Sequence, residues 1–115
     1  MNDASLREPA YLVLTALAGE ARHGYSVIED VAQISAGRVQ LHTGSLYAIL
    51  DRLRENGLIE VDREEVVASR LRRYYRLTGA GVARLAEETE AIRRHARVAA
   101  QRLRRVQPDL SGGVA

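Results

Sequence analysis

The sequence predicts a mainly α fold with a small two-stranded β wing and a long C-terminal helix. Three observations predict it. Helical periodicity recurs three times before residue 57, two alternating strand patterns follow at 58–64 and 70–78, and a final run from Thr78 to Val106 keeps its apolar residues three and four apart.

The first helix is expected over roughly 7–18. Pro9 falls in its first turn, where a missing N–H costs nothing. Leu12, Val13, Ala16 and Leu17 form its inward set, and Gly19 ends it. The second is expected over Gly24–Ala36, with Tyr25, Ile28, Val31 and Ala32 at helical spacing and Gly37 taking the left-handed C′ position. "RVQL" alternates and reads as a very short strand. The third helix opens at Thr43, whose hydroxyl can accept a first-turn N–H. Leu46, Ile49, Leu50 and Leu53 share one core face, Asn56-Gly57 stops the helix, and Leu58 supplies the hydrophobic contact of a Schellman motif.

In the strand "RLRRYYRLT", Leu71, Arg73, Tyr75 and Leu77 share one face, and Arg70, Arg72, Tyr74 and Arg76 share the other. Arg73 breaks the apolar face and is expected to reach solvent. "EVVAS" reads as a loop between the strands. Thr78 is a second N-cap. Behind it Val82, Leu85, Thr89, Ile92, Ala96, Ala99, Leu103 and Val106 make a narrow heptad-like seam, which points to another helix and best to a symmetry mate. The expected organisation is a winged unit over 1–77, a dimerisation helix over 78–107 and a disordered tail over 108–115.

The net charge of +2 is small, but all 17 basic residues are Arg and four of them crowd into residues 70–76 without an acid. Arginine forks suit phosphate oxygens. A charge run is as often a solvated face, so charge alone leaves both readings open. There is no Cys, which removes disulfides and thiolate metal sites. "AYLVLTALAG" has the length of a signal peptide core, but the residues before it carry Asp3 and Glu8 against one Arg7, and the run is too short to span a bilayer. A buried helix, a cytoplasmic location and no membrane partner are expected. No cofactor or metal site is expected either: the three His are scattered and no carboxylates pair at catalytic spacing, so an enzyme is the remotest reading.

The element order is that of a winged helix-turn-helix plus a long C-terminal dimerisation helix. In that motif the third helix enters the major groove of double-stranded DNA by its N-terminal end. Thr43, Gly44, Ser45, Tyr47, Ala48 and Arg52 are the candidate contacts on the reader; Arg70, Arg72, Arg73, Tyr74 and Arg76 are those on the wing. Tyr47 has a second reading as a half-buried tyrosine under the wing. The wing arginines have one as ion-pair partners of Glu60, Asp62, Glu64 and Glu65. His23 and His42 read as turn residues, and His95 as exposed beside the seam.

"HGYSVIEDV", "GSLYAILDRLRENGLIE" and "RRYYRLTGAG" together resemble the PadR family of bacterial transcriptional regulators, over about residues 10–85. The matching positions are His23-Gly24-Tyr25, Gly44-Ser45-Leu46-Tyr47, Gly57-Leu58-Ile59 and Arg72 through Gly81. Ser45 stands where Thr is commoner and Ala48 where Pro is common. The resemblance implies a homodimer that binds an operator, usually represses a nearby gene, and often answers to a phenolic or drug-like effector. Some short members take flat aromatic ligands at the dimer centre. This chain has no Trp or Phe and no aromatic after Tyr75, so only Tyr11, Ile92 and Ala96 are left as candidate ligand contacts. A winged helix that binds a partner protein instead of DNA is the alternative.

Overall fold

The computed structural model describes residues 6–106. The chain runs α1 (Glu8–Leu17), β1 (Arg22–His23), α2 (Gly24–Ile34), α3 (Thr43–Glu55), β2 (Ile59–Val67), β3 (Arg70–Leu77) and α4 (Gly79–Val106). The expected tail at 108–115 lies outside the described residues. The chain through Leu85 forms one compact unit, and a second begins at Ala86.

In the first unit α1 supplies the centre of the core. Leu12, Val13, Leu14, Ala16 and Leu17 are all buried, a wider apolar surface than the inward set read from spacing, because α2 and β3 both pack on this helix. Leu46, Leu50 and Leu53 of α3 join them, with Val27 and Val31 of α2 and Tyr75 of β3. Burying each such aliphatic side chain contributes roughly 1.5–3 kcal/mol. Of the expected α2 stripe, Val31 is buried and Ile28 packs on the core, but Tyr25 is 67% exposed, and Gly24 and Val27 are the other buried residues of the helix.

Helix ends follow local chemistry. At α2 the Gly37 N–H donates to the Ala32 carbonyl (2.8 Å) and the Ala36 N–H to Gln33 (3.1 Å). That is a Schellman motif with Ala36 at C′ (φ 53°), one residue before the expected Gly37, which itself has φ 83°. The segment that follows, "RVQL", forms no strand; the Val39 N–H donates to the Ser35 hydroxyl instead (2.9 Å). At α3 the motif is as expected: Gly57 has φ 75° and the Leu58 N–H donates to Leu53 (3.0 Å).

The sheet has three antiparallel strands in the order β1-β3-β2, one more than expected. Strand β1 is only Arg22 and His23, paired with Tyr75 and Tyr74. Arg22 fixes it in place. Its Nε donates to the Ala16 carbonyl at the end of α1 (2.8 Å) and its Nη1 to the Ser26 hydroxyl on α2 (2.9 Å). The hairpin is longer than expected, because "EVVAS" is mostly strand. Val67 pairs with Arg70, and the turn is Ala68-Ser69 with φ of 51° and 67°. Two central residues at positive φ make a type I′ turn, whose twist matches that of the strands. The register shifts between Val61 and Arg63, leaving Asp62 as the extra residue of a bulge.

Thr78 caps α4 as expected. Its hydroxyl accepts the Gly81 N–H (3.0 Å) and donates to the Gly57 carbonyl (2.6 Å), while the Thr78 N–H donates to Leu58 (3.0 Å). Gly81 is buried so tightly that a Cβ there would overlap the Leu58 carbonyl oxygen. Since that neighbour is backbone, Gly81→Ala is expected to cost about 2 kcal/mol of stability, read as a lower midpoint in urea denaturation with an unchanged slope.

Candidate nucleic-acid interface

The leading end of α3 is exposed and held by a reciprocal cap. His42, not Thr43, is the N-cap; Thr43 is already the first helical residue. The His42 Nδ1 accepts the Ser45 N–H (3.4 Å), and the Ser45 hydroxyl accepts the His42 N–H (3.2 Å) and donates to the His42 carbonyl (3.0 Å). Histidine and serine here replace the usual Ser/Thr and Glu/Gln of a capping box. Helix α2 opens alike: the His23 Nδ1 accepts the Ser26 N–H (3.4 Å). The spacing His-x-x-Ser occurs at both places, and it is the sequence signal by which both caps could have been read.

Thr43, Gly44, Ala48 and Arg52 are exposed, and Ser45 is half-buried. Tyr47 is 42% exposed, yet its hydroxyl packs on α2: a Cβ at Gly24 would stand 2.7 Å from it. The tyrosine is thus half-buried against the start of α2. Ser45, Ala48 and Arg52 also line a groove of about 590 Å³ with Leu6, Arg7, Pro9 and Ala10. Tyr11 is half-buried and packs on the core of the first unit, whereas Ile92 and Ala96 are exposed in the second.

On the wing, the expected division of β3 into two faces holds, but the outer face is mixed in charge. Strand β2 places Glu60 opposite Arg76, Arg63 opposite Tyr74 and Glu65 opposite Arg72. Arg76 pairs with Glu60 (2.8 Å) and Asp62 (3.1 Å), and Arg73 reaches solvent beside Glu64 (2.8 Å). Arg63, which strand alternation did not single out, pairs with Glu65 (2.9 Å) and lays its guanidinium 3.9 Å from the Tyr74 ring centroid. Its hydrogen bond holds the Glu65 carboxyl below the usual value. Exposed pairs of this kind stabilise by at most about 1 kcal/mol. Arg70 and Arg72 have no ion pair among the described residues. Tyr74 also meets His23 edge-on at 5.4 Å, which ties the wing to the first residue before α2.

Along α4, Leu85 packs on the core of the first unit, so it does not belong to an open seam. Ile92, Leu103 and Val106 are 47%, 55% and 75% exposed. Among the described residues no helix is long and apolar enough to cross a membrane, and no cluster of acidic and His side chains is placed to hold a metal ion.

A helix with a free leading end, a hairpin beside it and a long following helix define a winged helix-turn-helix protein. Residues 13–87 match the model of the PadR-like family of transcriptional regulators. A transcriptional regulator of Mycobacterium tuberculosis is 39% identical over 77 residues, which are 67% of this chain and 58% of that protein; the chain thus spans less than two thirds of that relative's length. A PadR family regulator from Clostridium difficile superposes with a TM-score of 0.69 at 24% identity, over 84% of this chain and 99% of that one. Bacillus subtilis PadR in complex with operator DNA does so with a TM-score of 0.63 at 21% identity, over 70% of this chain and 47% of that one. This chain belongs to the PadR-like family of transcriptional regulators.

His23 carries a testable pH dependence. Burial, then the nearby Arg72 charge, holds its imidazole below the ordinary value. Protonation would also turn the Nδ1 acceptor into a donor and break the α2 cap. The folded form therefore favours neutral His23: its contribution to stability is complete above the unfolded value of about 6.5 and is lost as pH falls through the folded value. The thermal midpoint should drop between neutral and mildly acidic pH, and His23→Asn, which keeps a cap oxygen, should flatten that drop; an identical pH profile in the variant would contradict the assignment.

Proposed function

We propose that this regulator binds double-stranded DNA sequence-specifically as a homodimer, on an inverted repeat, and represses by occupying a promoter. The observation that carries the reading is the pairing of an exposed α3 leading end with two wing arginines, Arg70 and Arg72, that form no ion pair among the described residues. Family membership and the operator complex of Bacillus subtilis PadR support it.

In this reading α3 enters the major groove, with Thr43, Gly44, Ala48 and Arg52 facing the duplex and Tyr47 contributing its exposed edge. Arg70 and Arg72 neutralise phosphates and release counterions. Arg73 and Arg76 contact DNA only by leaving or sharing Glu64, Glu60 and Asp62, so they contribute less. Tyr74, stacked under Arg63, stiffens the wing. Val82, Thr89, Ile92, Ala96, Ala99, Leu103 and Val106 form the dimer seam along α4. Two such chains place their α3 helices about 34 Å apart, one turn of DNA. A small-molecule effector that prefers a dimer with another α3 spacing would release the operator.

Two expectations follow from this assignment of roles. In gel shifts at several salt concentrations, replacing Arg70 and Arg72 by Ala should weaken binding to every duplex and flatten the log–log salt slope by roughly 0.9 for each phosphate no longer neutralised. A changed sequence preference with an unchanged slope would refute the phosphate role. Ile92→Asp buries a charge in the seam; light scattering should show a dimer for the native chain and a monomer for the variant, and equal masses would refute the seam.

A further inference from the structure

We propose that His42 is a specificity-determining residue, donating a hydrogen bond from Nε2 to an acceptor on a base edge in the major groove. The inference rests on the DNA-binding reading above.

It starts from what α3 has available. Gly44 and Ala48 carry no polar side-chain atom. The Ser45 hydroxyl is committed to His42, accepting its N–H at 3.2 Å and donating to its carbonyl at 3.0 Å. The Tyr47 hydroxyl packs at Gly24. The outward polar side chains left on the leading end of α3 are His42 and Thr43, and both are exposed. Hydrogen-bonded base readout at this leading end therefore falls to these two, with Arg52 farther along the helix and Ala48 able to offer only an apolar contact.

The cap then fixes which proton His42 carries. A neutral imidazole has one donor and one acceptor nitrogen. Nδ1 accepts the Ser45 N–H, so the proton sits on Nε2. The two nitrogens point to opposite sides of the ring, and the Nδ1–Cε1 edge lies 3.6 Å from the Cβ position of Gly44. The ring is thereby held against the first turn with its single donor facing away from the capped N–H. A donor fixed in this way suits purine N7, guanine O6 or thymine O4 and clashes with the amino groups of cytosine and adenine. Because the ring is oriented before binding, little side-chain freedom is lost on docking.

The test is selection from a random duplex library with the full chain and its His42→Ser variant, alongside melting of both. Serine keeps a cap oxygen and removes the outward donor. The variant should melt at the native temperature and bind the natively selected duplex roughly five- to tenfold more weakly. It should bind a scrambled duplex unchanged and select a motif relaxed at one base pair in each half-site. A native motif retained at full affinity, or an equal loss on both duplexes, would overturn the base contact. If the native chain itself enriches no motif, the DNA-binding reading fails, and the role of His42 falls with it.

Discussion

The first turn of α4 sits against the turn that ends α3, and the joint between α3, the wing and α4 depends on that contact. Gly81 permits it, since any side chain would meet the Leu58 carbonyl. Thr78 closes it, with one hydroxyl serving both the Gly57 carbonyl and the Gly81 N–H. The last turn of α3, the entry to β2, the exit of β3 and the start of α4 thus share a few hydrogen bonds. Moving any one of them moves the others. The contact sets the angle of α3 to the wing without using a residue on the outward face of α3.

The outward face is organised by a second economy. Both helices of the helix-turn-helix are capped by a histidine whose Nδ1 accepts an N–H three residues on. At α2 the ring is half-buried, edge-on to Tyr74, and that partial burial disfavours the charged form. At α3 the ring is exposed at the leading tip. One local device therefore serves packing in one helix and presentation in the next. Tyr47 shows the same division: its hydroxyl end packs over Gly24, and its remaining edge faces solvent.

What was legible in the sequence was local. The buried stripe Leu46–Leu50–Leu53, the Gly57–Leu58 stop and the Thr78 cap depend on residues within one turn of each other, and alternation alone assigns the faces of β3. What was not legible needed tertiary context. Two residues, Arg22 and His23, carry no periodicity; they become a strand because β3 has a free edge and Arg22 is anchored to α1 and α2. Arg76 meets Glu60 and Asp62 only through a cross-strand register that contains a bulge. The cap of α3 falls one residue before the one that spacing suggests, because His42 and Thr43 both offer an acceptor and only the reciprocal bond from Ser45 decides between them. Leu85 fits the heptad spacing but belongs to the core of the winged unit, since spacing along a helix does not say which neighbour fills it.

The paired presentation of two α3 helices to one duplex is tested most directly by hydroxyl-radical footprinting of the full chain on a duplex enriched by selection, with the stoichiometry of the complex measured by sedimentation. Two chains per duplex and two protected patches on one face, about one helical turn apart, are the predicted result. One chain per duplex, or a single protected patch, would contradict it.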